Sequence, residues 1–267
     1  MNAALPDDPD TLAPLAARIE EAATNAWPAL QQQRYHGWTL RFSRGFTRRA
    51  NSVATDLAAQ TLPDNHSLQE RIRYCENRYA AADLATVFRL TSLGTDGELD
   101  AVLADRGYRR GGETLVLARE LNGVTATGVG ATDSVRQLAA LQDWLDGYSV
   151  LAELPPAGAA LHRAILRAIP FELGLWVAAG APAAAPRACG LGVLEAELLG
   201  LFDIITDARH RQQGYGRALV QALLSWGADQ GARYAYLQVA ADNTPALALY
   251  ERFEFSPLYR YWYRQSN

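Results

Sequence analysis

The chain has 267 residues, enough for two small domains or one large one. A hydrophobic fraction of 49%, a charged fraction of 20% and a net charge of −4 are ordinary for a globular protein and argue against a nucleic-acid-binding character. All 25 basic residues are arginine, which excludes lysine-based catalysis, and no apolar run reaches the ~18–20 residues of a membrane span. The start carries Asp7, Asp8 and Asp10, unlike a signal peptide. Cys75 and Cys189 fall in different halves and make no disulfide framework, so a reducing cytoplasm is the expected compartment.

Residues 10–33 read as a helix with Leu12, Leu15, Ile19, Ala22, Ala23 and Ala26 on one face. Residues 38–42 and 47–53 read as strands around a turn at Gly45. A helix over 68–81, a strand over 85–90 and a helix over 96–106 follow, then a strand pair or one long bent strand over 108–119. The Gly/Thr-rich run 123–130 reads as a linker, placed within 123–133. Helices are expected over 134–145 and 157–168, separated by the helix-breaking pair Pro155-Pro156. Strands over 171–179 and 187–195 flank an Ala/Pro loop. The rest reads as strand 198–206, helix 214–230, strand 234–239, helix 243–252 and strand 256–264.

This order repeats. A shift of 147 positions lays 85–90 on 232–237, 96–103 on 243–250, and Arg106-Gly107-Tyr108 on Phe253-Glu254-Phe255. The chain therefore reads as α/β (α+β), with two related units over 1–122 and 134–267. Each reads as one unit of strands and helices. The first copy is degenerate. Its segment 64–67 has no glycine, and Leu103 stands where the second copy has Tyr250.

The chemistry concentrates after residue 198. A strand-like stretch leads into Arg211-Gln212-Gln213-Gly214-Tyr215-Gly216, and a helix-like apolar run begins at Arg217. Strand, glycine-rich turn and helix start together offer free backbone N–H groups to an anion. Gly214 and Gly216 let the backbone approach a bulky phosphate, and Arg211 adds a fixed positive charge. The turn reads as a pyrophosphate cradle. A Walker loop would place Lys and Ser/Thr after its last glycine, where Arg217-Ala218 stand. A dinucleotide fingerprint would need a third small residue where Leu219 stands.

The turn resembles the coenzyme A pyrophosphate loop of the GNAT acetyltransferases, whose pattern is Arg/Gln-x-x-Gly-x-Gly/Ala. Downstream, Asp242-Asn243-Thr244-Pro245-Ala246-Leu247-Ala248-Leu249-Tyr250 is similar to the second signature of that family. There an Asn opens a helix, an Ala follows three residues later, and a Tyr four after that. The stretch 37–53 is similar to two-module bacterial acetyltransferases. Glu254 stands where the family usually has Gly, which bears on the turn into the last strand and not on the chemistry.

The resemblance implies that each unit is a mixed, mostly antiparallel sheet flanked by helices, and that acetyl-CoA is the cofactor. Its implied contacts are the backbone at Ile204, Ile205 and Thr206, the turn residues Arg211, Gln212, Gln213, Gly214, Tyr215, Gly216 and Arg217, and Asn243, Ala246 and Tyr250 along the pantetheine arm. It also puts the Tyr250 hydroxyl near the thioester sulfur as general acid. A phenol pKa of about 10 is close enough to a thiol's to return a proton. An ammonium acceptor needs a base or water relay. Glu195, Glu197 and Asp203 share a face if no bulge intervenes, with Asp203 ranked first as base and Glu197 second. Glu172, Glu195, Glu197 and Asp203 are the candidate acceptor-binding carboxylates. His36, His66 and His162 lack metal-ligand spacing and His210 reads as a surface residue, so no metal is expected. Cys189 reads as a buried strand residue and Trp226 as core.

From Asp143 to Asp207 eight acidic residues stand against three arginines, a balance that attracts cationic amines. Residues 34–49 carry five arginines and no acid, either a solvated face or an anion contact. The expected function is acetyl-CoA-dependent transfer to a primary amine of a small cationic acceptor within a ternary complex. Polyamines, aminoglycoside antibiotics and basic peptide ends qualify, with an aminoglycoside-type acceptor favoured. The alternatives are a peptide or protein N-terminal acetyltransferase and, in another class, a non-catalytic acyl-CoA-binding sensor. The expected partner is a small-molecule amine rather than nucleic acid or membrane, and the chain is expected to be a monomer or homodimer.

Overall fold

Helix α1 (Pro9–Asn25) stops short of residue 33 because Pro28 cannot donate a backbone hydrogen bond and disfavours helical backbone before it. The chain turns instead into a hairpin of β1 (Gln31–Tyr35) and β2 (Trp38–Phe42). The structure is a computed structural model describing residues 9–55, 67–94, 96–121, 135–179 and 185–266. The expected 123–133 linker, most of the 64–67 segment and His66 lie outside the described residues.

The expected strand over 47–53 is instead a folded loop that ends in a short β3 (Val53–Thr55). Asn51 organises it. Its Oδ1 accepts from the backbone N–H of Ser43 and Gly45, while its Nδ2 donates to the carbonyls of Phe46 and Thr47. A side chain that satisfies four backbone groups removes the need for a ladder.

Helix α2 (Leu68–Ala80) starts on a reciprocal Ser67–Glu70 capping box. Then come β4 (Val87–Thr91), α3 (Gly97–Asp105) and β5 (Arg109–Glu120), the last a single long strand. The helix expected over 134–145 is a short edge strand, β6 (Val135–Gln137), followed by α4 (Leu141–Leu151). Pairing of Val135–Gln137 with the next strand outcompetes local helix propensity. The remaining elements are α5 (Pro156–Arg167), β7 (Glu172–Ala178), β8 (Ala188–Glu195), β9 (Leu198–Thr206), α6 (Tyr215–Asp229), β10 (Tyr234–Ala240), α7 (Thr244–Glu251) and β11 (Ser256–Gln265). All fall close to their expected ranges.

The strands form one sheet in the order β1-β2-β3-β4-β11-β5-β10-β9-β8-β7-β6. Most neighbours are antiparallel; β3–β4 and β9–β10 are parallel. The last strand, β11, inserts between β4 and β5, and β5 in turn lies against β10. The elements β4, α3 and β5 start at 87, 97 and 109, and β10, α7 and β11 at 234, 244 and 256, so each pair differs by 147. The two halves thus cross strands at the centre of the sheet, and no gap in pairing separates them.

Helices α1, α4 and α5 cover one face, where Ile19, Trp27, Trp144 and Ile165 pack with Leu191, Phe202 and Tyr236. Helices α6 and α7 cover the other, where Val220, Leu223 and the expected core residue Trp226 meet Leu199, Leu201 and Leu237. Helices α2 and α3 pack on the β2–β4 end through Ile72, Leu99, Leu40 and Phe88. A buried ionic clamp ties α1 to the sheet centre. Glu20 accepts from Arg89 of β4, at 3.0 Å for the longer bond, and from the Tyr259 hydroxyl of β11 at 2.6 Å. Burial alone would lower the pKa of Arg89, but the Glu20 charge outweighs it and holds the guanidinium well above its ordinary value. Among the described residues no helix is long and apolar enough to cross a membrane, and no His/Cys/Asp/Glu group could hold a metal.

Candidate active site

The site begins where two parallel strands part. Strand β9 stays paired with β8 as far as Thr206, opposite Ala188, but its pairing with β10 stops at Leu201, opposite Leu237. Beyond that point β10 runs on against β5 alone, to Ala240 opposite Thr114. Ile204, Ile205 and Thr206 therefore lie on a length of β9 with no strand on one side, and their backbone groups need another partner. The parting coincides with a bulge. The β8–β9 register shifts between Cys189 and Leu191, and Asp203 takes φ +50°, a region a non-glycine residue adopts at some strain.

After β9 a single 3-10 turn, Ala208–His210, is capped by Asp207, whose carboxylate accepts from the backbone and guanidinium of Arg209. Those bonds hold Asp207 well below the usual carboxylate range. Gln212 and Gly214 then take φ +60° and +87°, and Gly214 becomes the N-cap of α6. The first helical bond runs from Ala218 N to Gly214 O at 2.9 Å. The N–H groups of Tyr215, Gly216 and Arg217 thus have no partner within the helix, and they carry the positive end of its dipole. Residues 211–214 and Arg217 are exposed. A Cβ on Gly216 would sit 3.6 Å from both Thr206 Oγ1 and Leu249, ordinary contact, so the chain's own packing does not demand glycine there. Room on the outer side is what a pyrophosphate would use, and the donors fit an anion. Arg187 donates to the Tyr215 hydroxyl and fixes that ring, a support with no local sequence signal.

Helix α7 opens on Asn243, whose Oδ1 accepts from Ala246 N at 3.3 Å. The cap uses that oxygen and leaves Nδ2 for a ligand. Ala246 is half-buried one turn on, and Tyr250 is buried, its ring edge-on to Phe255 with centroids 5.9 Å apart. The Tyr250 hydroxyl makes no hydrogen bond among the described residues, and burial alone pushes its phenol up to about 12. It therefore stays protonated, a donor waiting for an acceptor.

The carboxylates separate. Asp203 is nearly buried, with Oδ2 2.8 Å from His162 Nε2 and Oδ1 accepting from the Tyr148 hydroxyl at 3.2 Å. His162 is 1% exposed among the rings of Trp27, Phe46, Trp144 and Tyr148, and its Nδ1 has no hydrogen-bond partner among the described residues. Burial and the Asp203 charge push the Tyr148 phenol far up and the Cys189 thiol up to about 12, so Cys189 is an inert buried thiol as expected. Sequence reasoning passed over His162 and Tyr148. The one available signal is a histidine on the buried stripe of α5 beside Ile165 and Leu166.

The shared carboxylate face does not form. A turn at Ala196, φ +51°, separates Glu195 from Glu197, and the bulge at Asp203 breaks the alternation a second time. Glu195 accepts from Asn25 at 3.0 Å and Glu197 from Arg18 at 2.6 Å, both fastening α1. Glu172 is exposed opposite Leu194. These three gather at the β8–β9 hairpin. From Leu198 to Asp203 is five residues of strand, roughly 17 Å. Only Asp203 of the four lies at the parting strands. His210 is partly exposed at the turn, 3.6 Å from Asp207.

Residues 16–264 match a family model described as "Probable histone acetyltransferase Rv0428c C-terminal". The chain is 32% identical over 250 residues to the probable histone acetyltransferase Rv0428c of Mycobacterium tuberculosis, covering 91% of this chain and 72% of that protein. It is 28% identical over 255 residues to the uncharacterized N-acetyltransferase YobR of Bacillus subtilis, covering 92% and 97%. Its fold is similar to that of a GCN5-related N-acetyltransferase from Kribbella flavida, with a TM-score of 0.67 at 16% identity over 94% of this chain and 95% of that one.

Proposed function

The chain is an N-acetyltransferase of the GNAT superfamily, in the family of the Rv0428c C-terminal region, and we propose that it moves an acetyl group from acetyl-CoA to a primary amine by direct transfer. The observation that carries this is the parting of β9 from β10 beyond Leu201 and Leu237, with the unpaired N–H groups of α6 at its mouth. Bound acetyl-CoA supplies an activated acetyl group as a thioester.

This chain's residues do the rest. Gly214 to Arg217 hold the pyrophosphate through main-chain N–H groups, with Arg211 adding charge. The backbone of 204–206 and the Asn243 amide align the arm, so two reactants meet in one cleft and most of the rate comes from positioning. Tyr250 Oη delivers a proton to the departing sulfur as the new carbon–nitrogen bond replaces the carbon–sulfur bond. The proton lost by the amine leaves towards Asp203, with His162 holding that carboxylate in place, and solvent returns a proton to Tyr250. The constant offset of 147 residues supports a duplicated unit divided at 123–133, whose first copy has lost the turn and the tyrosine and serves as a wall.

Calorimetry with coenzyme A and thiol release from acetyl-CoA with an amine panel test the reading. Uptake of coenzyme A with amine-dependent thiol release supports it. A well-folded protein that takes up no coenzyme A at millimolar concentration ends it.

A further inference from the structure

A cavity of about 560 Å³ opens on the α1 face of the sheet, beside the C-terminal end of β10. Arg48 and Arg49 line it from the 43–52 loop, Tyr261 and Tyr263 from β11, Glu113 from β5, and Asp242 from the residue before the α7 cap. Its volume suits a ligand of one or two amino-acid residues. The cavity reaches the reaction centre through Arg49. That guanidinium lies 4.7 Å over Trp27 and 5.8 Å over Phe202, the neighbour of Asp203, and donates to Gln238 on the length of β10 that has left β9.

The charge in and under the cavity is unbalanced. Arg48 lies over Tyr263 at 4.7 Å and against Gly112, where a Cβ would meet its guanidinium at 2.7 Å. Neither Arg48 nor Arg49 makes an ion pair among the described residues. Arg41 is buried beside them, and burial, then Arg89 and Arg49, push its guanidinium down to about 10. The buried carboxylate here is Glu20, already claimed by Arg89 and Tyr259. The anion that answers these arginines is not the cofactor's pyrophosphate, because α6 serves the opposite face. A polycationic acceptor would meet repulsion here. Glu113 and Asp242 line the same cavity; Glu113 is paired with Arg260 at 3.3 Å and with Arg110 at 3.7 Å, whereas Asp242 is exposed and in no ion pair among the described residues. Asp242 disfavours a multiply charged anion and suits an ammonium.

We infer that the acceptor is an amine that also bears a carboxylate, an amino acid or short peptide, with its carboxylate on Arg48 and Arg49 and its amine towards the parting of β9 and β10. A guanidinium fork matches a carboxylate in two parallel hydrogen bonds. The inference rests on the acetyl-transfer reading and replaces the cationic acceptor expected from charge counting.

The test is thiol release with acetyl-CoA, using free amino acids and dipeptides against their C-terminal amides, putrescine and an aminoglycoside. Carboxylate-bearing acceptors are expected to have kcat/KM about tenfold to a hundredfold above their amides. R48Q and R49Q should bring that ratio towards one by raising KM, whereas R49K, which keeps the charge, should retain part of it. R48Q changes an exposed residue and keeps the test usable should R49Q fold poorly. Amides or diamines used as well as the acids, silence of every carboxylate-bearing acceptor, or a ratio untouched in R48Q would overturn the inference. Calorimetry with coenzyme A on the same samples separates the two ideas. Absent uptake sinks acetyl transfer itself, while uptake with a preference for diamines sinks only the carboxylate.

Discussion

Replacing Tyr250 by Phe removes one oxygen and leaves the ring against Phe255. That oxygen has no hydrogen-bond partner among the described residues, so its loss strands no buried group, and folding stability should change by less than about 0.5 kcal/mol. Its chemistry is another matter. With burial pushing the phenol up to about 12, Tyr250 carries its proton throughout the neutral range and is poised to give it to a thiolate. A positioned general acid contributes about 10²–10⁴ in rate. Y250F should lose kcat by that factor, about 2.7–5.4 kcal/mol of barrier, while coenzyme A affinity stays as in the parent protein. Three measurements decide it: thiol release at saturating acetyl-CoA, calorimetry with coenzyme A, and the urea midpoint. A kcat equal to the parent's refutes the acid role. Affinity falling in step with rate would make Tyr250 a wall of the pantetheine channel instead.

Gly216→Ala should weaken coenzyme A at least about tenfold by crowding the pyrophosphate. It should leave stability unchanged or raise it by up to about 1 kcal/mol, since alanine outranks glycine in a helix; undiminished affinity would remove the cradle from this turn. Glu20→Gln leaves Arg89, only 5% exposed, without its counter-charge beside Arg41, at about 3–5 kcal/mol. For a chain of 267 residues the melting temperature should fall by about 5–9 °C, and a loss below about 1 kcal/mol would mean that water reaches the clamp. Burial pushes the thiols of Cys75 and Cys189 up to about 12 from 9.0, and Tyr250 up to about 12 from 10.0. The folded chain keeps protons that the unfolded chain gives up, so this stability is complete below pH 9 and is lost as pH rises towards 12. The slope is up to about 1.4 kcal/mol per pH unit for each group. A urea midpoint that stays flat from pH 8 to 11 would contradict these shifts.

Sequence alone determined the parts whose physics is local. The turn at Gly214, the orphan N–H groups of α6, the Asn243 cap and the ring of Tyr250 each depend on residues within a few positions of one another. The 147-residue offset between β4, α3, β5 and β10, α7, β11 was equally legible, because hydrophobic spacing carries the order of strands and helices. Tertiary structure decided what depends on distant partners. Pro28 and the Asn51 loop, which reset the pattern near the N-terminus, are local by contrast: Asn51 bonds groups only four to eight positions away. The bulge at Asp203 forms against β8, and with the turn at Ala196 it broke up the face that regular alternation would have given Glu195, Glu197 and Asp203. His162 meets Asp203 across 41 positions, and Arg49 meets Gln238 across 189. Charge counted along a chain says how many ions are present. Only the folded sheet decides which of them share a cavity, because strand pairing brings residues together irrespective of their separation in sequence.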